Sequence, residues 1–509
     1  MDLMVPEGGS FRSWDTVSRP AVKAQVLSRL RNPYLAGACH NRPAMPTRRH
    51  EASRAGRANR AASFPAPGVL VALVAAVALL VVACGSSGPT PVPSPAASPS
   101  AISSATPSPA PSSTSAPSAT PIAGPSGSPA PTAPPDLAAT CRAIEDWVIA
   151  DRGLAAKQRR DPIVLDQAEL RRRITAQFEA ENPPAKVEDG EVALRALGLL
   201  NPGASLMQLY TDAMDAQVLG FYDLHTKELY VVARSGGIGP VEKWTVAHEF
   251  THELQDQNFD VKGFGLDTIG TGDRSLARLS LIEGDATLAS VRWLTANLTP
   301  DELAVFMQQS SDPAAAAALE KLPAILRETL LFPYQQGYLF VNELWLTGGW
   351  AAVNRVFARP PDSTEQVMHP EKYAAGEKPV TVAIGGAALA AKLGSGWRVA
   401  DEDTLGEFQL SVWLRERAPT TADAGRAAAA AAGWGGDRYV LLRGPRGAYA
   451  LIIRTIWDNA EDAEEFDTAV RAIVPKLPGT ARLHASDANG PELDVSLASD
   501  PAILDRLGK

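Results

Sequence analysis

Trp244-Thr245-Val246-Ala247-His248-Glu249-Phe250-Thr251-His252-Glu253-Leu254-Gln255 decides the reading of this chain. Its centre, His248 to His252, fits the pattern H-E-x-x-H. Two imidazoles four residues apart share one face of an α-helix and can bind a single zinc ion. Glu249 follows the first imidazole directly, where a general base for hydrolysis is needed. The chain holds only seven histidines, and two fall in this window. The surrounding pattern predicts a helix from about Val241 to Gln257.

Working upstream, Val218 to Tyr222 and Glu228 to Ala233 read as strands joined by a turn at Asp223 to Lys227. Gly236-Gly237 and Gly239-Pro240 then break the chain before the motif helix. An edge strand beside such a helix can hold an extended peptide by strand addition, and Glu228 to Ala233 is the candidate. Amphipathic helices are expected at 138–156, 165–181 and 205–217.

A hydrolytic zinc site needs three protein ligands and one open position. Downstream of the motif only His369 and His484 remain as histidines, and Asn258 occupies the position where a third histidine of an extended motif would stand. A carboxylate on a following helix is the better source. Ser275 to Leu294 reads as that helix, with Leu276, Leu279, Ile282 and Ala286 at helical spacing. Glu283 lies within this apolar stripe, where a carboxylate needs a partner and a metal ion would supply one. A buried salt bridge is the alternative use of Glu283.

In these residues the chain resembles the gluzincins, zinc metallopeptidases whose third ligand is a glutamate on a second helix. More narrowly it is similar to a group of uncharacterised bacterial extracellular metallopeptidases. The shared segments are "GFYD", "AHEFTHELQDQNFD", "LIEGDAT", "PYQQGYLFV", "STEQVMHPEKY" and "AAGWGGDRY", within about Gly220 to Tyr439. The resemblance implies Zn²⁺ held by His248, His252 and Glu283, a peptide or protein substrate, and Glu249 as general base. One departure stands out. The position one turn after Glu283, where thermolysin has an aspartate supporting a zinc histidine, is Thr287. Asp285 and Asp256 are therefore the candidates to orient an imidazole. The developing oxyanion also needs a donor. His369 is the first candidate, with Tyr334, Tyr338 and Tyr373 behind it.

The rest of the chain sets the context. Val69 to Val82 is an unbroken apolar run, short for a membrane span and suited to a signal-peptide core. Arg48, Arg49, Arg54, Arg57 and Arg60 precede it, and Ala83-Cys84 follows. This resembles a lipoprotein lipobox with Cys84 as the lipidated residue. The alternative is an uncleaved membrane anchor. Residues 1–84 thus read as leader and signal peptide, with Met45 as a more conventional start. Residues 85–135, rich in Pro, Ser, Ala and Thr, read as a disordered spacer. Both readings place the remainder on the extracytoplasmic face of a bacterial membrane.

Residues 1–83 carry 11 Lys and Arg against 4 Asp and Glu, so with a total of −9 the remainder stands near −16. That acidity argues against nucleic acid as partner. Cys39, Cys84 and Cys141 form no metal-ligand spacing and no disulfide framework. The expected fold is α+β and mainly helical. A zincin-like domain at 136–378, with a small antiparallel sheet before the active-site helix, precedes a small α+β unit at 379–509. In that unit, helices at 405–415, 421–432 and 460–474, strands at 439–443 and 449–457, and a turn at 433–438 are expected. Against the peptidase stands one other reading: a catalytically inactive, lipid-anchored binding or envelope-maintenance protein with a structural zinc site.

Overall fold

The structure is a computed structural model and describes residues 137–508 except 218, 233–237, 269, 312 and 486–489. The expectations for 1–84 and 85–135, including Cys84, lie outside the described residues. Among those described, no helix is long and apolar enough to cross a membrane.

The chain opens with α1 (Leu137–Arg152), β1 (Ile163–Leu165), α2 (Gln167–Glu181), α3 (Pro184–Ala196) and α4 (Leu206–Gln217). The hairpin β2 (Gly220–Asp223) and β3 (Glu228–Val232) leads into the motif helix α5 (Pro240–Phe259). Then come α6 (Gly272–Asn297), α7 (Pro300–Ser310), α8 (Pro313–Glu320) and the long α9 (Ala324–Phe357). Two short helices, α10 (Thr364–Met368) and α11 (Pro370–Ala375), close this half. The architecture is α+β and mainly helical, as expected.

Pro240 opens α5 without losing a needed N–H, and the Glu242 side chain accepts the Gly239 N–H at 3.1 Å. The hairpin packs on α5. On β3, Leu229 and Val231 face a core made with Trp244, Phe250 and Leu254 of α5 and Cys141, Ile144 and Val148 of α1. Tyr230 and Val232 point the other way, into a second core with α2, α4, α6 and α9. The period of two therefore feeds two cores from one strand.

Sheet order is β1-β3-β2, with β1 parallel and β2 antiparallel to β3. This corrects one expectation. β3 is the central strand, flanked on both sides, so its backbone is closed to strand addition. The edge nearest the motif helix is β2.

Helices α6 and α9 cross with their backbones in contact. A Cβ on Gly284 would lie 2.1 Å from the Gly337 carbonyl oxygen, and one on Gly337 would lie 2.2 Å from that of Ser280. Only glycine fits at either position. Helix α9 continues beyond this crossing and bends where Gly348 and Gly349 leave helical geometry.

The C-terminal unit holds α12 (Gly386–Leu393), β4 (Arg398–Asp403), α13 (Gly406–Arg417), α14 (Thr421–Ala429), β5 (Trp434–Arg443) and β6 (Tyr449–Trp457). It ends with α15 (Ala460–Ile473), β7 (Thr480–Ala485), β8 (Glu492–Ala498) and α16 (Pro501–Leu507). Its antiparallel sheet runs β4-β5-β6-β8-β7. Tyr439, Leu441, Leu451 and Ile453 meet α13 and α15 on one face. Val440, Leu442, Ala450 and Ile452 meet α12 and α16 on the other.

The turn expected at 433–438 is part of β5, which bulges between Trp434 and Gly436. Helix α3 joins this half as well. Ala193, Ala196 and Leu197 enter its core, and Trp413 Nε1 donates to the Leu197 carbonyl at 3.0 Å.

Candidate metal centre

Helix α5 turns His248, Glu249 and His252 inward, and all three are buried with Glu283 of α6. His248 Nε2 lies 3.1 Å from His252 Nε2 and 3.2 Å from Glu283 Oε2. His252 Nε2 lies 3.5 Å from the same oxygen. With metal–ligand bonds of about 2.0–2.1 Å, the edges of a tetrahedron are about 3.3 Å, so these spacings fit one four-coordinate ion.

The unspent atoms agree. Glu283 Oε1 is buried without a partner. Two imidazole nitrogens and a carboxylate oxygen aimed at one point are costly to bury unless a cation joins them. His248, His252 and Glu283 also form the one wholly buried group of potential metal ligands among the described residues. The residues present fit a zinc ion.

The electrostatics follow from this crowding. Burial raises the Glu249 carboxyl to about 8, with Glu283 adding to the rise. Tyr222 N–H opposes it by donating to Glu249 Oε2 at 3.0 Å. Burial alone would raise Glu283, but His252 and His248 hold it below the usual carboxylate range. For His252, burial works against the charge, yet Glu283 outweighs it and lifts the imidazole to about 9. His248 is lowered, chiefly by burial.

The residues expected around the ligands fall into two groups. Asp285 accepts from Arg152 Nε at 2.8 Å and from Gln255 Nε2 at 2.8 Å, while Gln255 Oε1 faces His252 Nδ1 at 2.9 Å. Asp285 thus reaches the His252 imidazole through Gln255. Asp256 does not. It accepts from Tyr222 OH at 3.0 Å and from Lys227 Nζ at 2.7 Å, clipping α5 to the hairpin.

His369 bonds to a carboxylate of the C-terminal unit. It sits between α10 and α11, its Nε2 3.0 Å from Glu407 Oε1 on α13, and that carboxylate raises its pKa. No hydrogen bond, ion pair or ring contact joins it to His248, Glu249, His252 or Glu283 among the described residues. The Tyr334 ring stacks on that of His248 at 6.3 Å between centroids. The Gly284–Gly337 crossing brings α9 and its Tyr334 to this place. Tyr338 is buried one turn further, and Tyr373 OH donates to the Arg359 carbonyl at 2.7 Å.

Sequence reading missed Gln255 and Arg152. Gln255 stands three residues after His252, on an adjacent helical face, so the spacing could have revealed it. Arg152 comes from 133 residues before Asp285, and no local signal marks it. A narrow cavity beside the ligands is lined by Tyr222, Leu224, His252, Gln255, Val261, Leu266 and Ile282.

Residues 396–496, most of the sheet of the C-terminal unit, match a family model described as "Domain of unknown function (DUF8575)". No curated protein matches the chain. Among solved structures, the chain is similar to a protein from Chloroflexus aurantiacus provisionally described as a hydrolase with a novel fold. The identity is 18%, over 47% of this chain and 88% of that one, with a TM-score of 0.31, too slight to carry an argument.

Proposed function

We propose that this protein is a zinc-dependent peptidase, a zincin-like enzyme of the gluzincin type, tethered on the extracytoplasmic face of a bacterial membrane through Cys84 or an uncleaved apolar segment. The observation that carries the reading is the convergence of His248 Nε2, His252 Nε2 and Glu283 Oε2 within 3.5 Å of one another, with Glu249 beside them on the same helix.

Zinc bound by these three residues would supply Lewis acidity toward a water and a scissile carbonyl. The chain's own groups do the rest. Tyr222 N–H holds Glu249 Oε2, so the proton taken from water falls to Oε1 and is later given to the leaving amine. Gln255 keeps the His252 ring in place. His369 and Tyr334, whose ring stacks on that of His248, are the candidates to donate to the developing oxyanion.

The burial of all four residues favours a second reading, a structural zinc site in a non-enzymatic envelope protein. Two features weigh against it. A structural site is normally closed by a fourth ligand, and the ligand group here has three members. A purely structural site also has no use for Glu249.

Digestion of a peptide library by the zinc-loaded full chain separates the readings. Cleavage is expected, with Glu249→Gln losing about 10²–10⁴-fold in rate while retaining zinc. Undiminished cleavage by that variant overturns the role of Glu249. No cleavage by the zinc-loaded unaltered protein favours the structural site.

A further inference from the structure

The structure assigns Arg152, at the end of α1, as a positioning residue for His252, so that the metal centre is completed by the N-terminal helix. This rests on the proposed zinc site and deepens it.

The chain of contacts has one consistent direction. Gln255 Nε2 donates to the Ile282 carbonyl at 2.9 Å and to Asp285 Oδ2 at 2.8 Å. Both partners are acceptors, so the amide is fixed with Oε1 toward His252 Nδ1. That oxygen can only accept, and Nδ1 must carry the proton. The lone pair of His252 is thereby left on Nε2, the atom that faces His248 and Glu283. Asp285 Oδ2 is the acceptor that holds Gln255 this way. Arg152 supplies the opposing charge through Nε at 2.8 Å and Nη2 at 3.3 Å.

The cost of this arrangement argues for a use. Arg152 and Asp285 are both 0% exposed. Such a pair is often no more stabilising than an apolar one of the same shape. Nor is it needed to hold α1 on α6. Asp151, the neighbouring residue, already makes a two-pronged ion pair with Arg292 of α6 at 2.6 and 2.7 Å. Trp350 lies under the guanidinium at 4.5 Å and Phe259 at 5.9 Å, fixing its plane. What distinguishes Arg152–Asp285 from Asp151–Arg292 is the connection through Gln255 to a ligand imidazole. Without Arg152, Asp285 is left as an uncompensated buried charge no longer held in place, and Gln255 keeps only the Ile282 carbonyl as a fixed acceptor.

The test is zinc affinity of the full chain by competition with a chelator, paired with the visible absorption spectrum of Co²⁺ at the same site. Arg152→Gln is expected to bind zinc about tenfold more weakly, within the range seen for residues behind metal ligands, and to shift the Co²⁺ spectrum. Arg152→Lys, which keeps the charge and loses the fork, should recover part of the loss. Arg292→Gln removes the neighbouring cross-link and should leave affinity and spectrum unchanged. Unchanged affinity in Arg152→Gln overturns the assignment. So does an equal loss in Arg292→Gln, which would show general loosening of α1. If Arg152→Gln lacks a cooperative unfolding transition, Arg152→Lys and Asp285→Asn carry the same comparison. Failure of the unaltered chain to bind zinc overturns both the metal centre and the relay. Zinc binding without peptide cleavage removes the peptidase reading and leaves the relay standing.

Discussion

Glu283 in the helical half and Asp437 in the sheet unit are both carboxylates sealed from solvent, and they are treated in opposite ways. Asp437 accepts the Gly406 N–H at 2.8 Å, the Leu405 N–H at 2.9 Å and Trp434 Nε1–H at 3.0 Å. Its donors are all backbone or indole groups of its own unit, and they hold the start of α13 on β5. Glu283 has one oxygen without a partner and the other facing two imidazole nitrogens. Burial raises Asp437 to about 6, whereas the histidines hold Glu283 below its ordinary value. A buried acid supplied with donors by the protein serves the fold. One that converges with two imidazole nitrogens and keeps an unspent oxygen has the geometry on which the proposed cation site rests.

Removing the saturated acid should break this comparison only on the stability side. Asp437→Ala strands two backbone N–H groups and an indole N–H, and should cost about 3 kcal/mol in urea unfolding. Zinc affinity of the same variant should be unchanged. A tenfold fall in affinity would show that the two regions are coupled.

A smaller effect sharpens the sheet side. Burial raises Asp401 to about 8, although Tyr439 OH donates to it at 2.5 Å. A carboxyl raised in the folded state holds its proton longer than in the unfolded chain. The stability it contributes is therefore present below the unfolded value, near 4, and is lost as pH rises toward about 8. Asp401→Asn should flatten the fall in unfolding free energy between these limits by on the order of 1 kcal/mol. An unchanged pH slope would remove Asp401 from the account.

The legible parts of the site were those with a local period. His248 and His252 are visible because four residues make one helical turn. Glu283 is visible because a carboxylate interrupts an apolar stripe. Spacing gives a face and not a partner, which is why Asp256 reads like a support for an imidazole yet turns to Tyr222 and Lys227. The same limit applies to His369, whose spacing shows no partner. Its loop-like context hides Glu407, supplied by a helix of the other unit.

The central position of β3 was invisible because β1 is three residues long and joins it from far upstream. Gly435 and Gly436 read as a turn, but they serve close approach within a strand. Val380 N–H donates to the Gly435 carbonyl at 2.7 Å, and a Cβ on Gly436 would lie 2.4 Å from the Val380 oxygen. Arg152 had no signature at all, since its partner is defined only by helix packing.

The most direct test of the metal centre is X-ray absorption at the zinc edge of the loaded full chain. The account predicts a nitrogen and oxygen shell at about 2.0–2.1 Å with the outer scattering of two imidazoles, reduced in His252→Ala. A shell of six oxygens without imidazole scattering, or sulfur at about 2.3 Å, would contradict it.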